Sequence, residues 1–95
     1  MKEQDKKTLI EIISQHLPSA QIFLFGSRAR KDNTPQSDID IAIDNKNKIE
    51  FFILSTIKET IDESTIPFTV DVIDLNNISE EFKNQILKDG IIWKK

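Results

Sequence analysis

Leu9, Ile12, Ile13 and Leu17 recur at i, i+3, i+4 and i+8, the spacing of one buried stripe on a helix. Pro18 and Ser19 stop that helix. Gln21-Ile22-Phe23-Leu24-Phe25 is a short apolar run rich in strand formers and ended by Gly26, which reads as a buried strand. A short helix is expected to begin near Ser27 and to cover residues 28–31, followed by the turn-forming Asp32-Asn33-Thr34-Pro35-Gln36. Residues 38–43 alternate cleanly, with Ile39, Ile41 and Ile43 facing one way and Asp38, Asp40 and Ala42 the other.

Ile49, Phe52, Ile53, Ile57 and Ile61 mark a further amphipathic helix over residues 48–63. Pro67 precedes a strand over residues 68–75. Ser79 has the position of an N-cap, with Glu80 and Glu81 favourable to the first-turn dipole. Phe82, Ile86 and Leu87 supply the stripe of that helix, Gly90 its C-cap, and Ile91-Ile92-Trp93 a last short strand. The order α-β-α-β-α-β-α-β predicts an α/β (α+β) fold: a small mixed sheet with helices packed on one face.

The chain has 95 residues, which predicts one domain over residues 1–95 with a single core. So short a chain leaves much surface open, and a partner, self-association or an oligomer formed with that partner would help cover it. The net charge of −3 argues against broad electrostatic binding to nucleic acid, although it does not exclude a nucleotide held through a metal. The chain has no cysteine, so disulfides and thiolate-bound zinc are excluded. No apolar run approaches the roughly 18 residues of a membrane span. The polar Met1-Lys2-Glu3-Gln4-Asp5-Lys6-Lys7 does not resemble a signal peptide, and a cytoplasmic protein is expected.

Asp38 and Asp40 lie two apart on a strand, so both carboxylates leave the same face. Like charges this close repel unless a cation sits between them, and Mg²⁺ prefers carboxylate oxygens shared with substrate phosphates. A solvated strand edge would explain the same pair. Gly26-Ser27 follows a strand and opens a helix, where backbone N–H groups and a hydroxyl can hold phosphate; a plain turn with a serine N-cap is the alternative. Arg28 reads as structural, whereas Arg30 is open between phosphate and structure. Asp71 interrupts an apolar strand and joins the site only if that strand lies beside the one bearing Asp38 and Asp40. Asp74 points to the opposite face and ends the strand. His16 is expected at the end of the first helix, on its apolar side, near the last carbonyls. Trp93 reads as core or a partner contact, and Lys2, Lys6 and Lys7 as a solvated helix start.

Taken together, Gly26-Ser27-Arg28-Ala29-Arg30, Ser37-Asp38-Ile39-Asp40-Ile41-Ala42-Ile43 and Val70-Asp71-Val72 resemble the minimal nucleotidyltransferases of the DNA polymerase beta superfamily, along essentially the whole chain. That resemblance implies the polymerase beta-like fold, ATP as substrate, Mg²⁺ as two ions, and transfer of AMP with pyrophosphate leaving. It implies that Gly26, Ser27 and Arg30 bind the nucleotide. It also implies that Asp38 and Asp40 ligate metal, with Asp71 as third carboxylate for a second metal or as general base. Lys31 departs from the pattern, since many relatives have glycine there. Such proteins resemble the antitoxin half of two-gene modules whose other half is a helical HEPN-type toxin. The implied function is therefore adenylylation of a hydroxyl, expected to be tyrosine, of that toxin. The alternatives are an antitoxin that neutralises by binding alone, or a nucleotidyltransferase for a small-molecule hydroxyl.

Overall fold

A computed structural model describes every residue except Asp32, Asn33, Pro35 and Gln36. The expected turn lies, apart from Thr34, outside the described residues. The chain runs α1 (Glu3–His16), β1 (Gln21–Phe25), α2 (Ser27–Arg30), β2 (Ile39–Asp44), α3 (Phe51–Asp62), β3 (Val70–Asp74), α4 (Glu80–Asp89) and β4 (Ile91–Lys94), in the order the hydrophobic pattern predicts. The sheet order is β3-β2-β1-β4. β1 is antiparallel to both β2 and β4, while β2 and β3 are parallel, so the sheet is mixed. A parallel pair needs a crossover, and α3 supplies it. Among the described residues no helix is long and apolar enough to cross a membrane.

Strand alternation assigns the two faces. Ile22 and Leu24 of β1, Ile39, Ile41 and Ile43 of β2, and Val72 of β3 join Leu9, Ile12 and Ile13 of α1 and Ile57 and Ile61 of α3 in the main core. Phe23, Ala42 and Leu75 point the other way and meet Ile86 of α4 in a smaller cluster, flanked by Phe25, Ile73 and Ile78. The apolar face is covered by α1 and α3 as expected, and α4 adds a partial cover on the opposite face.

Several expected core positions differ. α3 begins at Phe51 rather than near residue 48, because Ile49 is buried in extended chain and donates its N–H to Asp74 Oδ2 at 2.7 Å. Phe52 is 73% exposed; it lies about 100° around the helix from Ile53 and so outside the narrow stripe Ile53–Ile57–Ile61. In α4 only Ile86 is buried, and Phe82 and Leu87 are 40% and 48% exposed. His16 closes α1 exposed to solvent rather than on its apolar side.

The caps follow local chemistry. Ser79 Oγ accepts from Phe82 N–H, as an N-cap should. Gly90 caps α4 with an extended backbone rather than a left-handed one, because the chain turns straight into β4. Its lack of a side chain matters for another reason: a Cβ there would press on Ile86 O and lie 3.2 Å from Leu24 O. Trp93 packs against the main core with Lys6 Nζ 5.7 Å over its ring, so one lysine of the helix start has a specific neighbour.

Candidate active site

The parallel pairing of β2 with β3 sets Ile39 opposite Val70, Asp40 opposite Asp71 and Ile41 opposite Val72. Adjacent strands lie about 4.8 Å apart, so Asp40 and Asp71 stand side by side. Both are on the α4 face, since Ala42 and Ile73, two residues on, join the smaller cluster there. The condition on which Asp71 depended is met. Asp38 precedes β2 and is exposed, Asp40 is half-buried and Asp71 is exposed. Asp74 is 5% exposed and leaves the opposite face, where it accepts from Ile49 N–H and Asn76 N–H. It ends the strand and stays out of the site.

Gly26 closes the site from β1. Phe25 pairs directly with Asp40 across the antiparallel β1–β2 ladder, which brings the next residue against the Asp40 side chain. Gly26 has φ 76° and ψ −156°, a backbone that side chains oppose. A Cβ on Gly26 would overlap the Asp40 carboxylate and lie 3.1 Å from its Cγ. The glycine is thus required twice over, by conformation and by space.

Gly26, not Ser27, is the N-cap of α2; its carbonyl accepts from Ala29 N–H and Arg30 N–H, both at 3.1 Å. Ser27 is the first helical residue, and among the described residues its hydroxyl has no hydrogen-bond partner. The serine N-cap alternative therefore does not hold. α2 ends at Lys31 in the left-handed conformation, φ 63°, which explains physically why glycine suits that position.

Arg28 is structural, as its sequence position suggested. Its Nε and Nη2 donate to Ser37 O at 3.2 and 2.9 Å, and its guanidinium lies 4.8 Å over the Phe68 ring. This clamp holds the backbone immediately before Asp38. Sequence reading had no signal for its acceptor, because a carbonyl carries no residue identity.

Burial pushes the Asp40 carboxyl above its ordinary pKa, the neighbouring Asp71 and Asp38 carboxylates push the same way, and the Arg30 guanidinium pulls it down. The three carboxylates and Arg30 therefore share one electrostatic environment. Among the described residues no three acidic, histidine or cysteine side chains close on a single point as a finished cage. The donors are hard oxygens, and the like charges call for a cation. That set suits Mg²⁺, which takes one or two protein carboxylates and completes its shell with phosphate oxygens and water.

Residues 7–94 match the family model described as "Polymerase beta, Nucleotidyltransferase". The chain belongs to that nucleotidyltransferase family. A Haemophilus influenzae member of the family, described as "Probable protein adenylyltransferase MntA", is 31% identical over 92 residues, covering 97% of this chain and 81% of the relative. Among solved structures, a toxin–antitoxin complex with AMP-PNP contains a chain that superposes with a TM-score of 0.78 at 24% identity, over 93% of this chain and 71% of that one. A Shewanella oneidensis complex of a tri-AMPylated HEPN toxin with its MNT antitoxin contains one at 0.75 and 22%, over 98% and 71%. These structures establish the fold: a small mixed four-stranded sheet with helices, of the minimal nucleotidyltransferase type. The protein is a nucleotidyltransferase.

Proposed function

We propose that this nucleotidyltransferase moves AMP from ATP to a tyrosine hydroxyl of a helical HEPN-type toxin and thereby acts as its antitoxin. The observation that carries the reading is the side-by-side placement of Asp40 and Asp71, with Asp38 in the same field and Gly26 against the Asp40 carboxylate. The described activity of the Haemophilus influenzae relative, and the fold neighbours that hold AMP-PNP or a tri-AMPylated HEPN toxin, support the choice of ATP and of a protein acceptor.

Asp38 and Asp40 would hold Mg²⁺, which leaves the Asp71 carboxylate to act as general base toward the acceptor. Held there, Mg²⁺ would supply charge neutralisation for the triphosphate and the transferring phosphoryl group. The chain's own groups do the rest. Gly26 lets the triphosphate approach the α2 backbone, Ser27 offers a hydroxyl donor, and Arg30 offers a cation beside Asp40. Asp71 lies on the strand next to Asp40 and is exposed, so an acceptor hydroxyl can reach it. In the transfer, the acceptor oxygen bonds to the α-phosphorus as the bond to the pyrophosphate oxygen breaks. The hydroxyl proton passes to the Asp71 carboxylate, and pyrophosphate leaves.

The test is intact mass of the protein encoded by the adjacent gene, after incubation with the chain, ATP and Mg²⁺. An Asp38→Asn/Asp40→Asn chain is the control. Additions of one or more AMP masses, absent with the control, support the reading. A stable complex with no mass addition would replace it with neutralisation by binding alone.

A further inference from the structure

The carboxylates share their sheet face with an aromatic pair that none of the roles above uses. Asp40 and Ala42 of β2, Asp71 and Ile73 of β3, and Phe23 and Phe25 of β1 all point toward α4. The Phe25 ring meets the Phe82 ring of α4 edge to face, with centroids 5.8 Å apart and planes at 78°. Phe25 is half-buried, whereas Phe82 is 40% exposed on an α4 whose one buried residue is Ile86. An edge-to-face pair leaves the face of one ring free for a third flat group.

The position of this pair relative to the site is fixed by register. Phe25 is the direct partner of Asp40, and opposed side chains on one face have Cβ atoms about 5 Å apart. Phe82 lies one ring beyond Phe25. A nucleotide with its phosphates at Gly26 and Asp40 has to send its base outward from that point. The α4 side of the sheet is the side on which the carboxylates and an exposed aromatic ring stand together.

We propose that Phe82, braced by Phe25, is the positioning residue on which the base of the nucleotide stacks, a flat purine giving the larger contact. This rests on the nucleotidyltransferase reading of the site. Phe82 touches no reacting atom; it sets where the base lies and hence how the α-phosphate sits over Asp40 and Asp71. The exposure of an aromatic ring on the carboxylate side of the sheet is then explained by a ligand instead of the core.

The test compares the wild-type chain with Phe82→Leu, Phe82→Ala and Phe82→Tyr, each checked for an unchanged melting temperature. Calorimetry with Mg²⁺ measures binding of a non-hydrolysable ATP analogue, of the CTP analogue and of inorganic tripolyphosphate. Base stacking on an aromatic ring corresponds to roughly a 5- to 150-fold change in affinity. Phe82→Leu and Phe82→Ala should weaken the ATP analogue by that range, narrow its advantage over the CTP analogue, and leave tripolyphosphate unchanged, while Phe82→Tyr retains wild-type behaviour. Unchanged ATP-analogue affinity in Phe82→Leu would overturn the stacking role alone. Failure of wild type to bind either the analogue or tripolyphosphate would overturn the nucleotide reading, and this inference with it.

Discussion

Replacing Gly26 by alanine separates the two demands the structure makes at that position. The backbone sits at φ 76° and ψ −156°, a region open to glycine that costs another residue roughly 1–3 kcal/mol. Independently, the new methyl would overlap the Asp40 carboxylate, lying 3.1 Å from its Cγ and 3.3 Å from its Cβ. The carboxylate is half-buried at the edge of the site and can swing away, so this second demand should appear as a displaced Asp40 more than as lost stability. A domain of this size loses about 4–8 °C of melting temperature per kcal/mol. Gly26→Ala should therefore melt about 5–20 °C lower, yet remain folded at 25 °C, where marginal stability is typically about 5–15 kcal/mol.

Transfer of AMP should fall further than the lost folded fraction explains, because a carboxylate proposed to hold the metal has moved. A double-mutant cycle with Asp40→Ala tests the partition. In that background the carboxylate is gone and the backbone strain remains, so the stability cost of Gly26→Ala should be nearly unchanged. Thermal denaturation by circular dichroism gives the first quantity and intact-mass kinetics on the toxin the second. A Gly26→Ala chain that melts within about a degree of wild type and transfers at the wild-type rate would refute the reasoning at both points.

Other substitutions test other parts of the molecule. Asp40→Asn should raise the melting temperature of the metal-free protein at neutral pH. The folded pKa of Asp40 lies above its unfolded value, so the stability it contributes is present below the unfolded value and lost as pH rises through the folded one. The advantage of the variant should disappear on acidification, and a lower melting temperature for Asp40→Asn at neutral pH in EDTA would count against that electrostatic account. Ser27→Ala removes a hydroxyl with no partner among the described residues. It should raise the KM for ATP and leave toxin affinity and melting temperature alone; equal loss of ATP use and toxin binding would point to a structural hydroxyl. Lys31→Gly relieves a left-handed residue at φ 63°, worth roughly 1–2 kcal/mol, against roughly 0.4–1 kcal/mol of added unfolded-chain freedom. The expected melting temperature is therefore unchanged to several degrees higher, and a clear drop would contradict the strain. Asp74→Ala leaves the buried N–H of Ile49 without its acceptor, which should cost about 1–3 kcal/mol, read as a lower urea midpoint at unchanged slope.

Much of this architecture is written locally. The run Gln21–Phe25 is bounded by Gly26, and the alternation of Ile39, Ile41 and Ile43 with Asp40 and Ala42 declares both strand and facing, because period-two burial needs no knowledge of partners. Ser79 declares a helix start by a bond three residues long. What fails to show locally is decided between segments. Phe52 and Leu87 read as core by spacing, yet each helix has only a narrow contact with the sheet, and what lies outside that contact is exposed. Gly90 reads as a C-cap and is one, but the requirement for glycine there is clearance from carbonyls of α4 and β1, with the backbone extended. In the site, the nature of Asp38, Asp40 and Gly26 is visible along the chain. The adjacency of Asp71 depends on a parallel pairing across α3, and the Phe25–Phe82 contact on where α4 crosses the sheet.

That dependence ties the chemistry to the core. Asp40 and Asp71 face each other only in the register that also sets Ile39 against Val70 and Ile41 against Val72. A one-residue slip of β3 would turn every side chain over. Val72 would then occupy the carboxylate face, while Asp71 would be driven among Ile39, Ile41 and Ile57, where an unpaired charge is prohibitively costly. The same slip would take Asp74 away from the Ile49 N–H. The apolar residues of one face and a single buried aspartate thus reject each neighbouring register. The like-charged pair on the other face, which left to itself would separate, is held together by packing it takes no part in. Burial and the neighbouring carboxylates together raise the Asp40 pKa, and the repulsive share of that rise is the trace of the imposed arrangement, which the cation of the proposed site would relieve.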